Sequence, residues 1–275
     1  MEAMNLALIN SCQDGNLEKA KYALKEGADP NKLDEEGWNA LHYASENGFE
    51  DIINLLLDNG ADVNIENSSG FTPFQIVMLC ENYSPIIAAS FIAKGADVGS
   101  PLHKAILLHD TEEIKYNISN GSYIKSTDPL NNSPLHIAIA VNDLETVSLL
   151  LNSNIDIDAK DVYDTTPLHE ACALGQIYTV SQLINFGSDI EACDYNGRTA
   201  LILGAGNAQY DVVELLLRIG ANINVQDNFG NTALHYAYEN EEFEIANLLL
   251  DYGADDTIEN EDGDTAVKLI PKYED

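Results

Sequence analysis

Basic residues are scarce in this chain. Of its 275 residues, 13 are Lys or Arg and 46 are Asp or Glu, a formal net charge of −33. Residues 33–93 contain no Lys or Arg, and residues 227–264 contain none beside twelve acids. Such a surface repels nucleic-acid phosphates and anionic lipid headgroups, so neither nucleic acid nor membrane is expected as a partner. It attracts basic proteins and speeds their encounter, by about 10 to 10³-fold at low salt.

Cysteine is sparse as well. Cys12, Cys80, Cys172 and Cys193 fit neither a CxxC pair nor a zinc-ligand spacing. They read as small buried hydrophobes or idle thiols in a reducing compartment. No apolar run reaches the roughly 18 residues that a membrane-spanning helix needs. The opening MEAMNLALINSCQDG has an acid at Glu2 and no basic n-region, which argues against a Sec-type leader. A cytoplasmic location is the expectation.

Catalytic signatures are missing. There is no P-loop, GxSxG, HExxH or EF-hand loop. LGAGNAQ (203–209) has the glycines of a phosphate loop but falls where a helix ends rather than after a strand. NEDGD (260–264) is acidic like a calcium loop but lacks the later Glu. No enzyme activity, metal or cofactor is expected.

What the chain has is repetition. GADPN, GADVN, GADVG, GSDIE, GANIN and GADDT recur, opened by Gly27, Gly60, Gly95, Gly187, Gly220 and Gly253. Gly121 and Asn154 fill the two remaining steps, and from Gly121 onward each step is 33 residues. A second signature precedes each loop: NALHYA (39–44), TPFQIV (72–77), SPLHKA (100–105), SPLHIA (133–138), TPLHEA (166–171), TALILG (199–204) and TALHYA (232–237). A third follows it in DIINLLLDNG, DVVELLLRIG and EIANLLLDYG.

One repeat can be read from its chemistry. Thr166 is a helix N-cap and Pro167 suits the first helical position. Leu168, Ala171 and Cys172 are apolar at i, i+3 and i+4, which predicts a short amphipathic helix. Gly175 can end it in a left-handed conformation. Val180, Leu183 and Ile184 give a second apolar stripe, ended by Gly187. Neither helix buries its faces alone, so the repeats must stack.

These motifs resemble the ankyrin repeat, with its 33-residue period and T-P-L-H-x-A hallmark. The resemblance covers nearly the whole chain. It implies an all-α solenoid of helix–turn–helix units joined by short β-hairpin loops. About nine units are expected in one domain over 1–275: an N-terminal cap at 1–33, then 34–66, 67–98, 99–127, 128–160, 161–193, 194–226, 227–259, and a C-terminal cap at 260–275. It also implies that His42, His103, His136, His169 and His235, all at one repeat position, tie neighbouring loops together rather than catalyse. His109 stands alone and is expected at the surface.

One loop is short. From Thr72 to Ser100 the step is 28 residues, although Ser100 to Gly121 is a normal 21. The third unit is two residues longer near CENYSP (80–85), so seven residues are lost between Gly95 and Ser100. One hairpin tip is thus deleted near residues 95–100. This predicts a bend between blocks 1–98 and 127–275, with a notch near residues 95–132.

The resemblance further implies a binding scaffold that touches its partner with loop tips and groove-facing helix residues. The tip positions are Glu35, Glu36 and Trp38; Phe71; Leu130 and Asn132; Tyr163; Tyr195 and Arg198; and Asn228, Phe229 and Asn231. Glu46, Asn47, Glu239 and Asn240 should face the groove from the helices. The expected function is a non-enzymatic, monomeric scaffold binding a basic or mixed-charge protein on its concave, acidic hairpin-tip face. The alternative is an acidic nucleic-acid mimic that blocks a basic enzyme site. Analogy with microbial members of the family adds an effector delivered into a host cell.

Overall fold

The computed structural model describes residues 1–79 and 84–271. Cys80, the lengthening expected near 80–85 and the charged end beyond Pro271 lie wholly or largely outside the described residues. Among the described residues the regular elements are sixteen short α-helices and one terminal 3-10 turn, Ala266–Leu269. The chain divides into two compact units, Met1–Ile114 and Lys115–Asp275, and α8 (Thr111–Ser119) carries the boundary.

In the first unit the helices pair as α1 (Glu2–Gln13) with α2 (Leu17–Lys25), α3 (Ala40–Glu46) with α4 (Glu50–Asp58), and α5 (Pro73–Leu79) followed by α6 (Pro85–Ala93); α7 (Pro101–Leu107) comes next. Leading helices stack as α1, α3 and α5, and trailing helices as α2, α4 and α6. In the second unit α9 (Pro134–Ala140), α11 (Pro167–Ala173), α13 (Ala200–Gly206) and α15 (Ala233–Glu239) form one layer. The other layer is α10 (Leu144–Leu151), α12 (Ile177–Asn185), α14 (Tyr210–Arg218) and α16 (Phe243–Asp251).

Helices of seven to nine residues are too short to persist alone, so packing must hold them. Trailing helices bury one stripe, as Val212, Val213, Leu216 and Leu217 do in α14. Leading helices of the second unit are enclosed almost throughout, as in α13 from Ala200 to Ala205. Small side chains make that closeness possible. Gly204 lies where an added Cβ would sit 3.4 Å from Val212 and Val213, so the glycines of LGAGNAQ serve helix packing.

Where the connection between paired helices lies among the described residues, one residue in it is left-handed. The expectation for Gly175 holds: its φ is 67°, and the Gln209 side chain fills the space a Cβ would need. Gly15 and Gly48 occupy the same step, but His109, Asn142, Ala208 and Glu241 adopt positive φ there without a glycine's freedom. His109 is exposed, as expected.

Three sets of hydrogen bonds join successive repeats. At the loop base Asn31 donates to the Gly60 carbonyl (3.0 Å) and accepts from the Asp62 N–H (2.8 Å). Asp158, Glu191 and Asn224 accept in the same way from Asp189, Asn222 and Asp255. Histidine carries the second set. In the first unit the His42 Nδ1 lies 3.2 Å from the Asn39 N and 2.8 Å from its Oδ1, while Nε2 reaches the Phe71 carbonyl at 3.0 Å. In the second unit His136, His169 and His235 reach the carbonyls of Thr165, Arg198 and Asp264 at 3.0–3.1 Å. Burial lowers the pKa of His42 and His169, which suits a neutral ring in this role. At these four positions the repeated histidine is a structural tie, as the resemblance implied.

The loops expected as hairpins are tight turns whose arms are too short to register as strands; an isolated bridge joins Glu259 and Thr265. Between α6 and α7 the chain passes from Gly95 to Ser100 in a few residues. Asn64 still bonds the Gly95 carbonyl and the Asp97 N–H, so the base tie persists there. Gly99, at φ 87°, then turns the chain into Ser100, which caps α7.

A left-handed alanine costs about 1–2 kcal/mol relative to its favoured conformations. Ala208→Gly removes that cost at an exposed site with φ 60°, and glycine's unfolded-state entropy offsets part of the gain. Urea denaturation of the variant should show a stability gain of about 1 kcal/mol. A loss of stability would contradict the assigned backbone.

Candidate partner-binding site on the loop tips

Each tip is built around one Asp or Asn side chain. In the second unit the Oδ1 atoms of Asp128, Asp161, Asp194 and Asp227 each accept two backbone N–H groups, two and four residues on. The pairs are Leu130 and Asn132, Tyr163 and Thr165, Asn196 and Arg198, and Phe229 and Asn231, at 2.7–2.9 Å. Asp34 does the same for Glu36 and Trp38 in the first unit, and Asn67 for Ser69 and Phe71. Asp and Asn suit such turns because their short side chains can close them onto the backbone.

Adjacent tips of the second unit are joined through their backbones, the third set of bonds. Val162 N–H donates to Leu130 O, Tyr195 to Tyr163, Asn228 to Asn196 and Glu261 to Phe229, at 2.8–3.1 Å. Five consecutive tips therefore form a continuous row. In the first unit the Ser68 hydroxyl bonds the Glu36 carbonyl.

The expected contact residues divide by their place in the turn. Tyr163, Tyr195 and Phe229 stand at its second or third residue and project; they are 41%, 70% and 55% exposed. Trp38 and Phe71 stand at its fifth residue, where the chain folds back, and both are half-buried. The Trp38 ring lies 5.0 Å from Tyr43 and 5.6 Å from His42. Leu130 is half-buried with its carbonyl engaged. Glu35 and Glu36 are exposed. Asn228 is exposed and braces the Tyr195 carbonyl, and Asn231 accepts from Asn260. Glu46 and Asn47 are exposed at the end of α3, as are Glu239 and Asn240 at the end of α15. Asn47 and Asn240 spend their amides on the carbonyls of Tyr43 and Gly206.

The second oxygen of the tip aspartate shows chemistry that the motifs alone did not reveal. Tyr43 donates its hydroxyl to Asp34 Oδ2 at 2.8 Å, and Tyr236 to Asp227 Oδ2 at 2.6 Å. Burial first, and the bonded aspartate next, push both phenols up to about 12. Asn132 supplies an amide to Asp128 Oδ2 at 3.0 Å. Arg198 brings its guanidinium to Asp194 Oδ2 at 2.8 Å, where the aspartate is buried.

At Asp161 the position that holds tyrosine in those two repeats, nine residues on, holds Glu170. Its Oε2 is shut off from solvent with no hydrogen-bond partner. Burial, then the charges of Asp161 and Asp128, push the carboxyl up to about 8. The signal was present in the sequence: TPLHEA puts an acid where NALHYA and TALHYA put tyrosine. Among the described residues no three His, Cys, Asp or Glu side chains are placed to hold a metal ion, and no helix is long and apolar enough to cross a membrane.

Comparison with known proteins identifies the repeats. A family model of ankyrin repeats in three copies matches residues 3–67, 74–161 and 160–227, and a second ankyrin-repeat model matches residues 216–270. The chain is 41% identical over 71 residues to the 2-5A-dependent ribonuclease of Mus musculus, covering 26% of this chain and 10% of that protein. It is 39% identical over 71 residues to protein phosphatase 1 regulatory subunit 27 of Homo sapiens, covering 26% of this chain and 46% of that protein. Over 91 residues it is 32% identical to the RelA-associated inhibitor of Mus musculus, 33% of this chain and 11% of that protein. The matches span less than half the length of each of these curated relatives.

Glu170 should make stability fall with rising pH. Its folded pKa, about 8, exceeds the ordinary 4.5, so between these values the folded state holds a proton that the unfolded state has lost. Glu170→Gln keeps the neutral form at every pH. Thermal melts should therefore show the variant more stable than wild type at pH 8, with the gap closing toward pH 4.5. Parallel curves across that range would contradict the assignment.

Proposed function

Because this chain belongs to the ankyrin repeat family, we propose that it is a non-enzymatic scaffold that binds a basic protein on the acidic face of its loop tips. The observation that carries the reading is the row of exposed aromatics at Tyr163, Tyr195 and Phe229, strung on one hydrogen-bonded set of turns. These rings are not needed by the core. Large aromatics on a preordered backbone are efficient anchors, because little entropy is lost when they bind. The net charge of −33 supplies the field that draws a basic partner in. Asn228, Asn231, Leu130, Asn132 and Arg198 flank the anchors in the second unit. Trp38, Phe71, Glu35 and Glu36, with Glu46 and Asn47, extend the same kind of surface in the first, and Glu239 and Asn240 complete it near the end of the second. The names of two relatives, a regulatory subunit and an inhibitor, are in keeping with an interaction role.

The test is affinity capture followed by mass spectrometry, at low and at high salt. Wild type is run beside the triple variant Tyr163→Ala/Tyr195→Ala/Phe229→Ala. Interface aromatics are often worth about 2 kcal/mol each, so the variant should bind its partner at least a hundredfold more weakly. The partner should be basic and should persist at high salt with wild type. Basic proteins that the variant retains and that salt removes would instead favour charge mimicry of nucleic acid.

A further inference from the structure

The trailing layer of the second unit carries a row of its own. Phe186, Ile219 and Tyr252 close α12, α14 and α16, and a left-handed glycine follows each. Their backbones match closely, with φ of −86°, −88° and −88° and ψ of −1°, −1° and 4°. Side chains on the same backbone in stacked repeats leave in the same direction. Since α12 packs on α14 and α14 on α16, the three stand side by side. They are 49%, 40% and 44% exposed. Nothing in the repeat demands an apolar residue there. The same place holds Glu26, Asn59, Lys94, Asn120 and Ser153 in the five earlier repeats and turns apolar in three consecutive ones. Single exposed apolar residues are ordinary, but an aligned set of them marks a contact surface.

The setting of the row is negative. Residues 185–191, 218–224 and 251–257 hold five acids, Asp189, Glu191, Asp251, Asp255 and Asp256, against one base. That base, Arg218, is paired with Glu214 at 2.7 Å. The three nine-residue helices add the negative poles of their C-termini. A second copy of this chain, at a net charge of −33, would bring like charge to like, and so would an anionic lipid surface. Spacing selects the element that fits. Packed helices lie about 8–10 Å apart. Along an α-helix, residues at i and i+7 share a face and are about 10.5 Å apart. Along a strand, residues of one face recur at about 6.6 and 13 Å, which straddles the need.

We propose that this row receives a basic amphipathic helix of a partner protein, laid across the ends of α12, α14 and α16. Apolar residues of that helix at i, i+7 and i+14 cover Phe186, Ile219 and Tyr252, and Lys or Arg beside them meet the acids. The aliphatic stems of those bases extend the apolar contact while their charged heads reach the carboxylates. The aromatics of the tip row take no part, so this contact stands or falls separately from the one at the tips.

The experiment is fluorescence anisotropy of the intact chain with a labelled alanine–lysine peptide of about 18 residues, long enough to form helix. One peptide carries leucine at i, i+7 and i+14. Its control has the same composition with leucine at i, i+5 and i+10, which scatters the three around the helix. Wild type should bind the first at least about tenfold more tightly than the second. Phe186→Asn/Ile219→Asn/Tyr252→Asn installs the residue that two earlier repeats carry, and should bind both peptides equally while melting cooperatively. Ile219→Lys alone, at the centre of the row, should weaken the first peptide by about tenfold and decides the matter if the triple variant melts poorly. Tyr163→Ala/Tyr195→Ala/Phe229→Ala should keep the wild-type preference, whatever it does to capture of a partner at the tips. Equal binding of the two peptides by wild type, or a preference that the row variants keep, would overturn the proposal. Sedimentation that shows wild type self-associating and the row variants monomeric would give the row to a second copy and overturn it as well.

Discussion

The fold depends on a neutral imidazole held between two repeats. Its Nδ1 accepts the N–H that opens its own helix, and its Nε2 hydrogen reaches the carbonyl that precedes the next leading helix. One side chain thus satisfies a helix end and fixes the spacing to its neighbour. Losing it would strand buried polar groups, each at a cost of about 1–3 kcal/mol. The helices, each two turns or so, have no stability of their own to fall back on. Where threonine caps α13 and Ile202 stands at the histidine position, apolar burial carries the contact instead.

With the repeats fixed in this way, the tips are free to vary. A tip aspartate uses one oxygen to shape its turn and leaves the other for whatever the repeat supplies. Tyrosine, asparagine and arginine all appear in that role, and each leaves a different surface. The core repeats itself closely while the tips do not. Recognition can therefore be written into the row of turns without disturbing the helices below.

Much of this was legible in the sequence. The 33-residue spacing, the cap at Thr166 and the left-handed Gly175 follow from local rules, the histidine ties at four of five positions from the family resemblance, and the structure has them. The aromatic positions were legible only as a class. Trp38 and Tyr195 both read as tip residues, but a fifth residue folds back onto Tyr43 and a second residue projects. Register within a five-residue turn decides that, and no composition rule expresses it. Glu170 was hidden for a related reason. Its meaning depends on Asp161, nine residues earlier, and on the folded contact between a turn and a helix. The arms of the tips were expected to be hairpins, but the Asx closure leaves too little chain for a strand to register.

The most direct test of this account is long-range nitrogen–proton NMR on the histidine rings at pH 7. The account predicts the neutral tautomer with the proton on Nε2 at His169, where burial lowers the pKa, Nδ1 accepts from the Thr166 N–H and Nε2 donates to the Arg198 carbonyl of the following repeat. A ring protonated on Nδ1 alone, or carrying both protons at that pH, would contradict it.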